Sequence, residues 1–215
     1  VLTMKKKNIL TAALSLALVA VIAVGATLAY FTAQAGEVVN TFTTGNIKIA
    51  VVDETNPAEG QVGGVKDSDG NIAYGTETPI MPGDVISKQV SVSVDGESEP
   101  AWVALKLTVD AAPGAESTMS KEDAIAKVQA LIDAEVDPDK WVKGEGGVYY
   151  YQSIVETGET AEHIFDTLTL AGTDWDNDQA NMTFSIAVEA YAVQAANIAD
   201  AAAAKPELDK LIAGA

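Results

Sequence analysis

Apolar and polar residues alternate along most of this chain, and the alternation predicts β-strands. After Gly45, Ile47, Ile49 and Val51 share one face, because successive side chains of a strand point to opposite sides. The same period of two recurs in four later stretches, between turns rich in Gly, Pro and Asp, and a fifth stretch is rich in tyrosine and β-branched residues. We therefore predict a mainly β fold, an antiparallel sandwich of the jelly-roll or Greek-key type. The later strands are predicted at Ile86, Val90, Val92 and Val94; at Val103, Leu105, Leu107 and Val109; at Val148–Val155; at Ile164, Leu168 and Leu170; and at Met182, Phe184, Ile186, Val188, Ala190 and Ala192.

Three stretches depart from this alternation. Residues 120–136 carry apolar side chains at helical spacing behind a Ser-x-x-Asp cap, which predicts a helix inserted between strands. The Ala-rich tail 195–215 predicts a C-terminal helix that is interrupted near Pro206. Between Asp53 and Thr78 the sequence is rich in Gly and Asp, which predicts a long loop or an irregular hairpin. The sandwich domain is thus expected over residues 43–194.

The beginning of the chain has the organisation of a signal peptide that ends at Ala29. Lys5–Lys7 precede a run without charge, and Thr27 and Ala29 supply the small residues that a signal peptidase recognises before Tyr30. A retained membrane anchor is the alternative, because the uncharged run is long enough to span a bilayer. Either arrangement predicts a secreted or cell-surface protein whose only membrane contact is an uncleaved signal.

The segment that follows the predicted cleavage, residues 30–42, has the pattern of a strand. Its alternation is regular at first and changes phase near Glu37. A free N-terminal strand can add to the sheet edge of another subunit; the alternative is a frayed or self-paired edge strand. The apolar residues expected on this donor strand are Phe31, Ala33, Ala35, Val38 and Val39.

Composition and charge exclude several classes of function. The formal net charge is −18, with 31 acidic residues against 13 basic ones, so a nucleic-acid partner is not expected. The chain has no cysteine and a single histidine, His163, whereas a zinc protease typically uses two histidines one helical turn apart. Neither a nucleophile elbow, nor a Cys–His pair, nor a phosphate-binding loop is present. We therefore predict that the protein is not an enzyme and that no residue is catalytic.

Two acidic loops place oxygen ligands at alternate positions, as a calcium site would. Neither loop has the glycine and the closing glutamate of an EF-hand. Metal-free turns are the alternative, because Asp favours turns in its own right. Calcium is thus the one cofactor that the sequence suggests. The candidate ligands are Asp67, Asp69 and Asn71 in the first loop, and Asp174, Asp176 and Asp178 in the second.

Aromatic residues cluster at Tyr149–Tyr151, and Trp175 lies between the first two aspartates of the second acidic loop. The tyrosines could stack on a glycan, but cross-strand packing is the more common use of such residues. Trp175 is interpreted as a packing or interface residue.

Taken together, these stretches resemble the TasA/camelysin family, exported proteins of biofilm-matrix fibres that carry a SipW-type signal peptide. The resemblance extends over most of the chain, although each stretch alone has low specificity. The matching stretches are Lys5–Lys7, "GATLAYFT" (Gly25–Thr32), "FTTGNIKI" (Phe42–Ile49), "MPGDVISKQVSV" (Met81–Val92), "GGVYYYQSIVETGET" with "FDTLTL" (Gly146–Leu170), and "VEAYAVQAANI" (Val188–Ile198).

This resemblance implies a jelly-roll domain that a dedicated signal peptidase releases to the cell surface. It also implies a homopolymer in which the freed N-terminal strand of one subunit completes the sheet of the next, by donor-strand complementation. A minor protein that anchors the fibre is a further expected partner. Two other functions stay open, a monomeric calcium-binding adhesin and a camelysin-like metalloprotease, for which His163 would be the metal ligand.

Overall fold

The structure is a computed structural model, and it describes residues 47–75, 80–172, 175, 179 and 181–214. The described residues fall within one unit, Thr44–Ala215. No helix in these ranges is long and apolar enough to cross a membrane. Several predictions concern residues outside the described ranges: the signal peptide 1–29, the donor segment 30–42, and Asp174, Asp176 and Asp178.

Strands dominate the described part of the chain, as the alternating pattern predicts. Within each sheet, neighbouring strands pair antiparallel. A mainly β, antiparallel fold with two helices among the described residues is thus confirmed. The strands are β1 (Ile49–Glu54), β2 (Val65–Lys66), β3 (Ile72–Ala73), β4 (Val85–Val94), β5 (Ala101–Ala112), β6 (Trp141–Lys143), β7 (Val148–Tyr151), β8 (Phe165–Thr169) and β9 (Thr183–Gln194), and the helices are α1 (Lys121–Glu135) and α2 (Ala201–Ala213).

Two sheets face each other across one apolar core. The first has the strand order β1-β4-β8, and the second has the order β6-β7-β5-β9. β1 contacts β9 and β4 contacts β5, so the two sheets form a sandwich. Trp141, Tyr149 and Leu105 are among the largest side chains that the core buries completely. Their burial supplies the hydrophobic free energy that a chain without disulfides needs.

Helix α1 forms where the sequence predicts an inserted helix, and it covers one side of this core. Ser120 caps the helix, since its hydroxyl accepts a hydrogen bond from the backbone N–H of Asp123 at 3.0 Å. Ala124, Val128 and Ile132 are buried and lie on the face that packs against β5 and β8. Because α1 contacts both sheets, through β5 and β8, it shields the core next to β8 from solvent.

Helix α2 covers the outer face of the four-stranded sheet, where Ala204 and Leu208 pack in one cluster with Trp102. The expected interruption near Pro206 is wrong, because the helix continues through this proline. A proline removes a single backbone donor, and here buried residues on both sides of it hold the turn against the sheet. Tertiary packing therefore outweighs the local penalty.

The Gly- and Asp-rich stretch after β1, for which the sequence predicts a long loop or an irregular hairpin, contains a short hairpin in which β2 and β3 pair antiparallel. Tyr74 follows β3, and its hydroxyl donates a hydrogen bond to the carbonyl of Ser87 on β4 at 2.9 Å. Burial raises the pKa of Tyr74 to about 12. The hairpin is thus fastened to the three-stranded sheet.

Candidate functional site

Strand β9 is an outer strand of the four-stranded sheet, and among the described residues its outer edge is open along its full length. Twelve successive pairs join it to β5, and within the described ranges no strand pairs with its other side. Leu107 bonds toward β7, through its N–H to the carbonyl of Gly147, so the neighbouring residues of β5 bond toward β9. By the same alternation, Ile186, Val188 and Ala190 direct their backbone N–H and C=O groups away from β5. Within the part of the chain that the structure describes, these groups have no strand partner, as is typical of a sheet edge.

The inward side chains of β9 are less buried than those of β5 beside them. Val103, Leu105 and Leu107 are almost completely buried, whereas Val188 and Ala190, which pair with Leu107 and Leu105, are only partly buried. The exposed fraction of the inward side chains therefore rises from β5 to the adjacent strand, β9. An added strand on this edge would bury apolar surface as well as form backbone hydrogen bonds.

Strand β1 is an outer strand of the other sheet, and it lies next to β9. Its Val51 pairs opposite the fully buried Val92, yet the side chain of Val51 is 38% exposed. Two sheet edges thus meet on one side of the sandwich. We call this side the β1–β9 seam, and define it by Ile49 and Val51 on β1 and by Phe184, Ile186, Val188, Ala190 and Ala192 on β9.

A buried ion pair joins β1 to β4 at one end of the seam. The ammonium of Lys88 lies 2.7 and 2.8 Å from the two carboxylate oxygens of Asp53, and the two side chains are only 8% and 25% exposed. Asp53 pairs opposite Val90, and Lys88 lies between Ile86 and Val90, which belong to the core. Lys66 adds a bond from its ammonium to the backbone carbonyl of Asp53 at 2.8 Å. The ion pair is therefore largely buried and adjoins two core residues of β4.

The first acidic loop is the turn between β2 and β3, and it uses its carboxylate internally. One oxygen of Asp67 accepts hydrogen bonds from the backbone N–H groups of Asp69 and Asn71, each at 2.9 Å. The hydrogen bond from the side chain of Asn71, with those from the backbone, lowers the pKa of Asp67 below its ordinary value. Among the described residues, no group of three or more His, Asp or Glu side chains could hold a metal ion. The geometry of this loop is that of an Asp turn.

The three consecutive tyrosines pack inside the protein. The hydroxyl of Tyr149 donates to Asp133 at 2.6 Å, and the ring centroid of Tyr151 lies 4.9 Å from that of Trp141 on the neighbouring strand. The hydroxyl of Tyr150 bonds to Asp209 of α2. Tyr151 thus packs across strands against Trp141, which is the use of such residues that we considered more common than glycan stacking.

His163 belongs to an exposed pair at the surface, whereas Trp175 is buried. The Nδ1 atom of His163, on the loop before β8, lies 2.7 Å from a carboxylate oxygen of Asp166 on β8, and the pair is exposed. Trp175 is buried, and its ring centroid lies 6.2 Å from that of Phe184 on β9. Of the two roles predicted for Trp175, packing or interface, the structure shows the first.

Sequence reasoning did not single out the ion pair or the open edge of β9. Lys88 carries the one signal that could have been used, since it occupies an apolar position in the alternation between Ile86 and Val90. Its partner Asp53 lies 35 residues away in the chain. Only the pairing of β1 with β4 brings the two together.

No family model, no curated protein and no solved structure matches this chain. The likeness to the TasA/camelysin family stays a resemblance carried by the sequence stretches quoted above.

Proposed function

We propose that this protein is the structural subunit of an extracellular fibre, and that its N-terminal strand adds to the sandwich of a neighbouring copy. The observation that carries the proposal is the open edge of β9, twelve residues long and flanked by half-buried apolar side chains. An edge of this kind is the usual receptor in strand addition. The resemblance to biofilm-matrix proteins supports the same function and a jelly-roll order of strands.

The donor and the acceptor are different parts of the subunit, so each copy can both give and receive a strand. Such head-to-tail contacts extend into filaments unless the rotation between copies closes a ring. About four apolar side chains of the donor, at ~1–3 kcal/mol each, would contribute roughly 4–12 kcal/mol. Association costs about 4–15 kcal/mol, so further contacts between subunits must supply part of the affinity.

Removal of the donor segment should abolish the fibre. We expect electron microscopy to show filaments from the protein that begins at Tyr30 and none from the protein that begins at Thr41, because the second lacks the strand. Circular dichroism should show the same fold for both, since the described sandwich begins after these residues. Monodisperse particles from both proteins would contradict the proposal and favour the monomeric binding module.

A charge on the inserted face should have nearly the same effect as the deletion. Phe31→Asp places a carboxylate among apolar side chains, where it would be buried without a partner. We expect the filament yield, measured by sedimentation, to fall at least about tenfold, equivalent to a loss of 1.4 kcal/mol or more. Gln34→Asp is the matched control, because Gln34 lies on the other face of the predicted strand and this variant should still form filaments.

A further inference from the structure

The buried ion pair between β1 and β4 brings an amine nitrogen against a carboxyl carbon. The nitrogen Nζ of Lys88 lies 2.7 Å from one carboxylate oxygen of Asp53 and 2.8 Å from the other. A nitrogen at these two distances is no more than about 3 Å from Cγ, the carbon between the oxygens, and near-attack arrangements bring reacting atoms to ~3–3.5 Å. The two atoms that a side-chain amide bond would join are therefore already in contact.

The sheet itself holds the two side chains in this arrangement. Lys88 lies where the register between β4 and β8 shifts, between Ser87 and Val90. Such irregularities re-aim a side chain and are frequent beside functional sites. On the other side, Asp53 is held by its pairing with Val90 and by the hydrogen bond from the ammonium of Lys66 to its backbone carbonyl. The contact is thus positioned by the backbone on both sides.

Burial favours a neutral product over the ion pair at this place. The side chains of Lys88 and Asp53 are only 8% and 25% exposed, so their charges have lost much of their hydration. An amide carries no net charge, and burying it costs far less than burying an ammonium or a carboxylate. Asp53 is the more exposed partner, which gives a released water molecule a path to solvent.

The ion pair contains every atom that the condensation needs. The ammonium of Lys88 gives one proton to a carboxylate oxygen of Asp53, which leaves a neutral amine beside a carboxylic acid. The lone pair of the amine attacks Cγ, the C–N bond forms, and one C–O bond breaks. The departing hydroxyl takes a second proton from the nitrogen and leaves as water, while the third proton stays on the amide nitrogen. Groups held in contact react as if at ~10⁵–10⁸ M, which offsets the cost of forming an amide in water.

We infer that Lys88 and Asp53 condense to a side-chain amide bond, which joins β1 covalently to β4. The two residues are 35 positions apart, and only the pairing of the strands brings them together, so the reaction follows folding. Freshly folded protein contains the ion pair, and aged protein contains the amide. The bond fastens an outer strand and encloses the hairpin of β2 and β3 in a covalent ring, in a chain that has no cysteine for a disulfide. This inference is independent of the proposed fibre function.

Digestion with trypsin and mass spectrometry of the full-length protein, purified folded and kept for several days in native buffer, test for the bond. Trypsin cleaves after lysine, but not after a lysine whose amine is acylated. The amide should therefore join the peptide Ile49–Lys66 to the peptide Asp67–Lys106, at a mass about 18 Da below their sum, which is the mass of one water. Loss of water within a single peptide cannot imitate this product, because it joins no second peptide.

Two controls accompany the parent protein. Lys88→Arg keeps the positive charge but has no nucleophilic amine, so its digest should lack the joined product. The exposed pair of Lys48 and Glu97, with 3.0 Å between the charged atoms, is an internal control in the same digest. We expect the product of Lys88 with Asp53 at least about tenfold above any product of Lys48 with Glu97, because the exposed pair is not held in a near-attack arrangement.

Three results would overturn the inference. The first is a parent digest that contains only the separate linear peptides Ile49–Lys66 and Asp67–Lys88, which would leave the contact as an ion pair. The second is a joined product that persists in Lys88→Arg, which would assign the link to another lysine. The third is an equal yield at Lys48 and Glu97, which would show that condensation requires neither burial nor the irregularity of β4.

Discussion

Asp53→Ala is expected to lower the free energy of unfolding by about 3–5 kcal/mol, as measured by urea denaturation. The substitution leaves the ammonium of Lys88 in the core with no carboxylate, although only 8% of that side chain is exposed. An isolated buried charge has lost its hydration and gains nothing in return. The loss of unfolding free energy should therefore be much larger than the loss caused by breaking an exposed surface ion pair.

Two further variants separate this explanation from a general effect of removing a carboxylate. Glu97→Ala breaks an exposed ion pair, in which the side chain of Lys48 is 47% exposed and that of Glu97 is 81% exposed. This substitution should lower the free energy of unfolding by less than about 1 kcal/mol. The double variant Asp53→Leu with Lys88→Met should recover most of the stability lost in Asp53→Ala, since an apolar pair can replace a buried ion pair at little cost. If Asp53→Ala and Glu97→Ala lost the same amount, burial of Lys88 would not be the cause.

Gly147→Ala is expected to destabilise the four-stranded sheet by about 2–4 kcal/mol, from backbone strain together with overpacking. Gly147 has φ +78°, and a Cβ atom added there would lie 2.3 Å from the backbone carbonyl oxygen of Leu107. The neighbouring strand cannot move away freely, because the N–H of Leu107 donates to the carbonyl of Gly147 at 2.8 Å. The clash would thus force β5 and β7 apart.

The preceding residue provides a matched control for this substitution. Gly146 also has a positive φ, +63°, but an added Cβ would meet no atom within 4 Å. Gly146→Ala should therefore lose only the left-handed strain, about 1–2 kcal/mol. Urea unfolding of both variants measures the difference, and equal losses would show that the contact with Leu107 has no energetic effect.

The long strands and the inserted helix could be predicted from the sequence because each has its own periodic signal. β4, β5 and β9 alternate over ten or twelve residues with one face toward the core. Helix α1 begins at the capping residue, Ser120, that the sequence indicates. In both cases the pattern depends only on residues within the same element, so no knowledge of neighbouring elements is needed.

Other features could not be predicted, because they depend on which elements become neighbours. β6 has only three residues, too few for an alternation, and it exists through its pairing with β7. The exposure of Val51 follows from the place of β1 at the edge of its sheet, while its own sequence resembles that of a buried strand. The ion pair of Lys88 and Asp53 likewise requires the register between β1 and β4. These long-range pairings also define the candidate site.

The ladder between β5 and β9 has a mechanical consequence. Its twelve pairs follow one another without a bulge, whereas the register between β4 and β8 shifts between Ser87 and Val90. Tension applied along β9 would load all the hydrogen bonds of that ladder at once, in shear, because they lie perpendicular to the pull. Tension on β8 would instead concentrate on the short stretches on either side of the irregularity. The described sandwich should therefore resist tension along β9 better than tension along β8, whose pairing with β4 is interrupted.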